Sequence, residues 1–199
     1  MAEFLKSFRC TDAHEGGWAN NPDDPGGETY RGISRVAHPS WSGWEIIDKY
    51  RGKPGFPGNL KDSQSLGLVV SKFYEMRFWQ PIWGDAIQQQ ALADAIFDFA
   101  VNSGVEIAVK KLQICLNVWN NQQKLYPDVK EDGIFGKKTL ESIYAFLEKR
   151  KKPHFLINSY YSERMVHFHK IARNSESQEQ FMVSWASRMR FDGRFGNFA

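Results

Sequence analysis

From Ser63 to Met189 the apolar residues return every three or four positions, a rhythm that amphipathic helices satisfy and strands do not. Ser63 is placed to cap a helix whose apolar face takes Leu66, Val69, Val70, Phe73 and Tyr74, with Pro81 as its stop. Ala91, Leu92, Ala95, Ile96 and Phe99 mark a second helix ending near Gly104, and Val105, Val109, Leu112, Leu116 and Trp119 mark a third. After a compact turn at Glu131-Asp132-Gly133-Ile134-Phe135-Gly136, Leu140, Ile143, Tyr144 and Leu147 share one face of another helix. Phe155, Leu156, Tyr160 and Met165 mark the next, and Phe181, Met182, Trp185 and Met189 the last. Near the start, Phe4, Leu5, Phe8 and Ala13 give a short helix that Gly16-Gly17 is suited to close. The stretch from Asn20 to Gly32 is dense in turn formers and predicts a structured loop or small hairpin. Residues 37–59 read as irregular apart from a short helix around Glu45 to Tyr50. With no internal repeat, no strand–helix alternation and no long strand, the expected fold class is mainly α: a helical bundle with one loop-and-hairpin region after the first helix.

A chain of 199 residues buries enough surface to fold without covalent staples. Its two cysteines, Cys10 and Cys115, lie far apart in apolar helical patterns and read as buried free thiols. Aromatic residues make up 15%, with seven Trp, more than a core of this size demands. Most rings in a globular chain are core, but a surplus suits a sugar-binding groove, where pyranose C–H faces pack on ring faces. The net charge of +3 is spread along the chain, and the run Glu148 to Lys152 reads as a solvated helix end rather than a nucleic-acid patch. Glu3, Lys6 and Arg9 interrupt the first ten residues, so no signal peptide or membrane span is expected there. Work outside the cytoplasm would then need another exit.

Glycosidic cleavage requires a carboxylic acid that stays protonated near neutral pH, to hand its proton to the leaving sugar oxygen. Glu15, in His14-Glu15-Gly16-Gly17-Trp18, is suited to that role: the end of a helix disfavours negative charge, and a ring such as Trp18 would desolvate the carboxyl. Asp24 and Thr29 follow at short intervals, with Gly32-Ile33 just beyond, and Asp23 competes with Asp24 as second carboxylate.

This order resembles phage-type lysozymes, in which a Glu ending the first helix is followed across a hairpin by an Asp and a Thr that bracket a water, then by Gly-Ile. Here the Asp-to-Thr gap is shorter by one residue. Glu15-Gly16-Gly17-Trp18, then Asp24-Pro25-Gly26-Gly27-Glu28-Thr29, then Gly32-Ile33 resembles more narrowly glycoside hydrolase family 108, the N-acetylmuramidases, although Tyr30 stands where relatives often carry a small polar residue. The likeness continues through Phe73 to Trp79 and Phe97 to Gly104. From Ala108 onward, through Leu112-Gln113, Asp132 to Gly136, Thr139-Leu140, Trp185 and Arg188, the chain resembles the peptidoglycan-binding-type region attached to that family.

The resemblance implies an α+β lysozyme-like fold, with residues 1–103 as the muramidase region and 104–199 as a helical peptidoglycan-binding-type region packed with it. It implies cleavage of the β-1,4 bond between N-acetylmuramic acid and N-acetylglucosamine, with Glu15 as general acid and Asp24 and Thr29 handling water or the oxocarbenium-like centre. Trp18, Tyr30, Asp98 and Asn102 are the expected substrate contacts. Asp94, Asp98 and Asn102 form a polar stripe at four-residue spacing that reads either as a cleft border or as a solvated face.

Neither metal nor cofactor is expected: Asp23, Asp24 and Glu28 lack the alternating ligands of a calcium loop, and His167 and His169 have no third ligand at zinc spacing. The expected partner is the peptidoglycan glycan strand, met by a monomer in the periplasm or cell wall after holin-type release, with no nucleic acid and no membrane insertion. Two alternatives stay open: a lytic transglycosylase that leaves an anhydro sugar, and a non-catalytic peptidoglycan-binding module.

Overall fold

A computed structural model describes residues 1–12, 17–21 and 26–189. Eight α-helices and one three-stranded antiparallel sheet are found among them, so the chain is mainly helical with a small hairpin region after the first helix. The chain divides into two compact units, one formed by Phe8–Arg77 and the other by Met1–Ser7 together with the chain from Phe78 onward.

In the Phe8–Arg77 unit, α1 (Phe4–Asp12) contributes its second half. The sheet follows as β1 (Trp18–Ala19), β2 (Thr29–Tyr30) and β3 (Ile33–Ser34), in that order, with Trp18 opposite Tyr30 and Tyr30 opposite Ile33. Only Arg31 and Gly32 connect β2 to β3, and both have positive φ, 46° and 77°. A two-residue turn of this kind matches the twist of its strands, and glycine at its second position carries no steric penalty. The Tyr74 hydroxyl holds the turn by donating to the Arg31 carbonyl at 2.7 Å.

Helix α2 (Gly43–Tyr50) buries Trp44 and Ile47 and lies where a short helix is expected, starting two residues earlier than Glu45. Ser63 caps α3 (Gln64–Tyr74) as expected, its Oγ accepting from the Leu66 N–H at 3.3 Å. The helix then widens into a π turn over Glu75–Trp79 and tightens into a 3-10 turn over Gln80–Ile82, where Pro81 lacks an N–H to continue the ladder. Tyr30, Ile33, Trp44, Ile47, Leu66, Val70 and Tyr74 form the core of this unit.

The second unit is built on α4 (Gln90–Ser103), α5 (Val105–Trp119), α6 (Lys137–Arg150) and the long α7 (Pro153–Asn174). Phe4, Trp79 and Phe97 pack together with ring centres under 6 Å apart, and Phe99 meets Tyr160 and Phe168 at similar spacing. The last expected helix is shorter than its apolar pattern suggests: a 3-10 turn spans Glu176–Phe181, and α8 spans only Met182–Ser187. Trp185 still stacks on Phe168, ring centres 4.6 Å apart, which holds α8 against α7.

Candidate active site

The sequence-predicted acid, Glu15, and both candidates for the second carboxylate, Asp23 and Asp24, lie outside the described residues, as does His14. Glu15 falls in the chain between α1 and β1, and Asp24 between β1 and β2. What the structure describes is the frame of sheet and helices that flanks both segments in the chain.

At the centre of that frame is Glu28, one residue before β2 and only 9% exposed. Its Oε1 accepts from the Trp18 indole N–H at 2.7 Å and from the Arg51 guanidinium, and its Oε2 accepts from Arg35 at 2.8 Å. Arg35 then forks onto Asp48 with bonds of 2.9 and 2.5 Å, while Arg51 Nε donates to Asp48 at 2.9 Å. Two carboxylates and two guanidiniums thus alternate in one network, a geometry in which charge-assisted bonds also fix direction. Arg35 lies over the Trp44 ring and Arg51 over the Phe56 ring. The two arginines hold the Asp48 carboxyl well below the usual carboxylate range, and the two carboxylates raise Arg35 in turn. The consequence is mechanical: the hairpin is clamped to α2 through side chains from residues 18, 28, 35, 48 and 51.

Thr29 sits on β2, half-buried, its hydroxyl donating to the Gly27 carbonyl at 3.2 Å. Trp18 has its N–H committed to Glu28 and its ring edge-on to Phe56 at 5.0 Å, yet remains partly exposed. Tyr30 is buried, and burial raises its phenol above the ordinary value. The structure therefore brings Trp18, Thr29 and Tyr30 together on one small sheet.

The polar stripe on α4 belongs to the other unit, and its side chains bond within the protein. Asp94 accepts from Ser7 at 2.5 Å and from Gln90 at 2.7 Å. Asp98 accepts from Arg164 at 2.6 Å and from Arg188 at 3.3 Å, one oxygen each. Arg164 is completely buried, with its guanidinium over the rings of Phe99 and Phe168. Asn102 donates to the Asp98 carbonyl one turn back, at 2.7 Å.

Sequence reasoning missed the Arg35–Asp48–Arg51 part of the clamp. Those residues share no period with Glu28, and only the Gly26-Gly27-Glu28-Thr29 motif hinted that Glu28 mattered. The turn motif at Asp132 to Gly136 proves to be organised by Gln113, which is 1% exposed. Its amide donates to Asp132, to the Ile134 carbonyl and to Thr139, and its oxygen accepts from the Gly133 N–H at 2.9 Å. Gly133 has φ +74°, and a Cβ there would lie 2.6 Å from the Glu106 carbonyl oxygen, so glycine is required twice over.

Residues 8–104 match the family model described as glycosyl hydrolase 108, and residues 107–190 match that described as a predicted peptidoglycan domain. No curated protein matches the sequence. Among solved structures, that of Brucella abortus SagA is similar over 96% of this chain and 97% of its own, with 21% identity and a TM-score of 0.54, a likeness of fold. A glycosidase region followed by a wall-recognition region defines the class, an enzyme of peptidoglycan breakdown. The chain carries a glycosyl hydrolase 108 domain joined to a peptidoglycan domain and is a peptidoglycan hydrolase.

Proposed function

We propose that this hydrolase is an N-acetylmuramidase that cuts the β-1,4 bond between N-acetylmuramic acid and N-acetylglucosamine, with Glu15 as general acid. The observation that carries the reading is the hairpin: a family-matched segment in which Glu15 and Asp24 fall just before and just after β1, on a sheet that the Glu28 network ties to α2. Glu15 protonates the leaving oxygen, and Asp24, assisted by Thr29, directs water or stabilises the developing positive charge at the anomeric carbon. A separation of about 6.5 to 9.5 Å between the carboxyls gives inversion and about 5 Å retention, and the lysozyme-like order of residues favours inversion.

Trp18 is the glycan contact we favour, because it is an aromatic residue beside the Glu15 segment that stays partly exposed. Asp98 has both oxygens taken by arginines, which argues for an internal role. Residues 1–103 supply the cutting region and 104–199 the wall-recognition region. The enzyme works in the periplasm or cell wall, and no helix among the described residues is long and apolar enough to cross a membrane.

The test is to digest purified sacculi with the wild type and with Glu15→Gln and to identify the new ends by mass spectrometry. The expected result is reducing N-acetylmuramic acid ends, at a rate that falls about 10²- to 10⁴-fold in the variant. Anhydro ends would instead make it a lytic transglycosylase, reducing N-acetylglucosamine ends would move the scissile bond, and undiminished activity would remove Glu15 from the mechanism.

A further inference from the structure

A groove of about 920 Å³ opens on the second unit between the C-terminal half of α7 and the 3-10 turn and α8 that follow it. That volume lies within the range of sites that hold a small ligand, about 300 to 1,000 Å³. Val166, Ala172 and Met182 give it an apolar lining, and Lys170 and Arg173 bring positive charge from α7. Among the described residues Glu179 is the one acid in the lining, His169 and Asn174 complete it, and neither Lys170 nor Arg173 forms an ion pair. Among the described residues the imidazole of His169 is the one ring in the lining, with no Phe, Tyr or Trp. A sugar site would be expected to offer a broad indole or phenol face for stacking, whereas the described lining pairs apolar side chains with two cations against one acid.

The groove lies within residues 107–190, matched by the peptidoglycan domain. The part of peptidoglycan that combines small methyl groups with free carboxylates is the stem peptide, not the glycan. We propose that this groove binds the anionic stem peptide of the wall, its carboxylates at Lys170 and Arg173 and its alanine methyls over Val166, Ala172 and Met182. The inference rests on the chain's being a peptidoglycan hydrolase and names the part of the substrate that the C-terminal region recognises. Stem recognition so placed would hold the enzyme on peptide-bearing wall while the cutting site acts on the glycan.

The probe is the free tripeptide L-alanyl-γ-D-glutamyl-meso-diaminopimelate, titrated into the full chain by isothermal calorimetry, since it contains no bond that a glycosidase cuts. Binding is expected to weaken with added salt and to fall roughly tenfold or more in the double variant Lys170→Glu/Arg173→Glu. Lys170→Gln/Arg173→Gln, with its fold checked by circular dichroism, should show a smaller loss in the same direction. No binding by the wild type, equal binding by both double variants, or undiminished binding of the fully amidated tripeptide would each overturn the proposal. So would tighter binding of a tri-N-acetylglucosamine probe that the same variants abolish, since the groove would then be a glycan site. Concentration-dependent dimerisation lost in the variants would assign the face to a second copy and likewise overturn it. Reducing ends released from peptide-stripped glycan separate the two readings: they should stay at the wild-type rate in the double variants. A wild type that binds the tripeptide but releases no reducing ends would overturn the muramidase reading and leave the groove standing.

Discussion

The two units meet the same need, holding irregular chain in one conformation, with opposite chemistry. In residues 8–77 the hairpin is fixed by Glu28, Arg35, Asp48 and Arg51, a charged network of which Asp48 and Arg51 remain about 40% exposed. From residue 78 onward the loops are fixed by neutral amides, Gln113, Asn117 and Asn120, while the ion pair at Asp98 is sealed against Phe99 and Phe168. Exposed charges keep their hydration and give direction at little cost, whereas a buried arginine depends on its partner for nearly all compensation. Loss of one side chain should therefore be tolerated in the first unit and damaging in the second.

Asp98→Asn tests the contrast most severely. It leaves Arg164 buried without a full counter-charge, and urea unfolding should show a loss of about 3 to 5 kcal/mol. Gly133→Ala comes next, because the left-handed backbone and the Glu106 carbonyl both oppose a side chain; a loss of about 1 to 3 kcal/mol should appear in the same assay. Glu28→Gln should cost less, about 0.5 to 1.5 kcal/mol, since Arg35 and Arg51 keep Asp48 and remain partly hydrated. Its larger effect should be on glycan cleavage, measured as reducing ends released per minute, because the hairpin loses its anchor. Asp48→Asn should cost under about 1 kcal/mol near neutral pH, screened as the pair is by water. Because the folded carboxyl titrates below its unfolded value, this contribution is present above about pH 4 and disappears as pH falls further, so melting temperatures of wild type and variant should converge in acid. The smallest effect concerns Cys115, whose thiol burial pushes up to about 12: iodoacetamide at neutral pH should leave it unlabelled until the chain unfolds. If Asp98→Asn proved as mild as Asp48→Asn, burial would not be what separates the two regions.

Much of the fold was legible because helices announce themselves through local spacing. Val105 to Trp119 and the Ser63 cap lie where the apolar period puts them. In residues 37–59 the short helix expected around Glu45 to Tyr50 is α2, but its start at Gly43 was not legible, since α2 owes its stability to burying Trp44 and Ile47 rather than to a repeated stripe. The site divides in the same way. A motif close in sequence placed Trp18, Thr29 and Tyr30 on one hairpin, but the Arg35–Asp48 bond joins residues of no mutual spacing, and no sequence period reveals such a partner. The α4 stripe shows the converse. Its four-residue spacing put Asp94, Asp98 and Asn102 on one face, yet spacing does not say whether a face meets substrate or an arginine from a helix sixty residues on.

Helices α4 and α5 meet at Gly104 with no linker, so the junction of the two family matches lies inside one compact unit rather than between two. Asp98 belongs to the first match, and the arginines that neutralise it belong to the second. Recombination that exchanged wall-recognition regions by cutting at this point would hand the hydrolase an orphaned carboxylate and a severed core. A lineage built this way inherits its cutter and its reader together, and a change of target wall has to come from substitutions within the reader rather than from trading it for another.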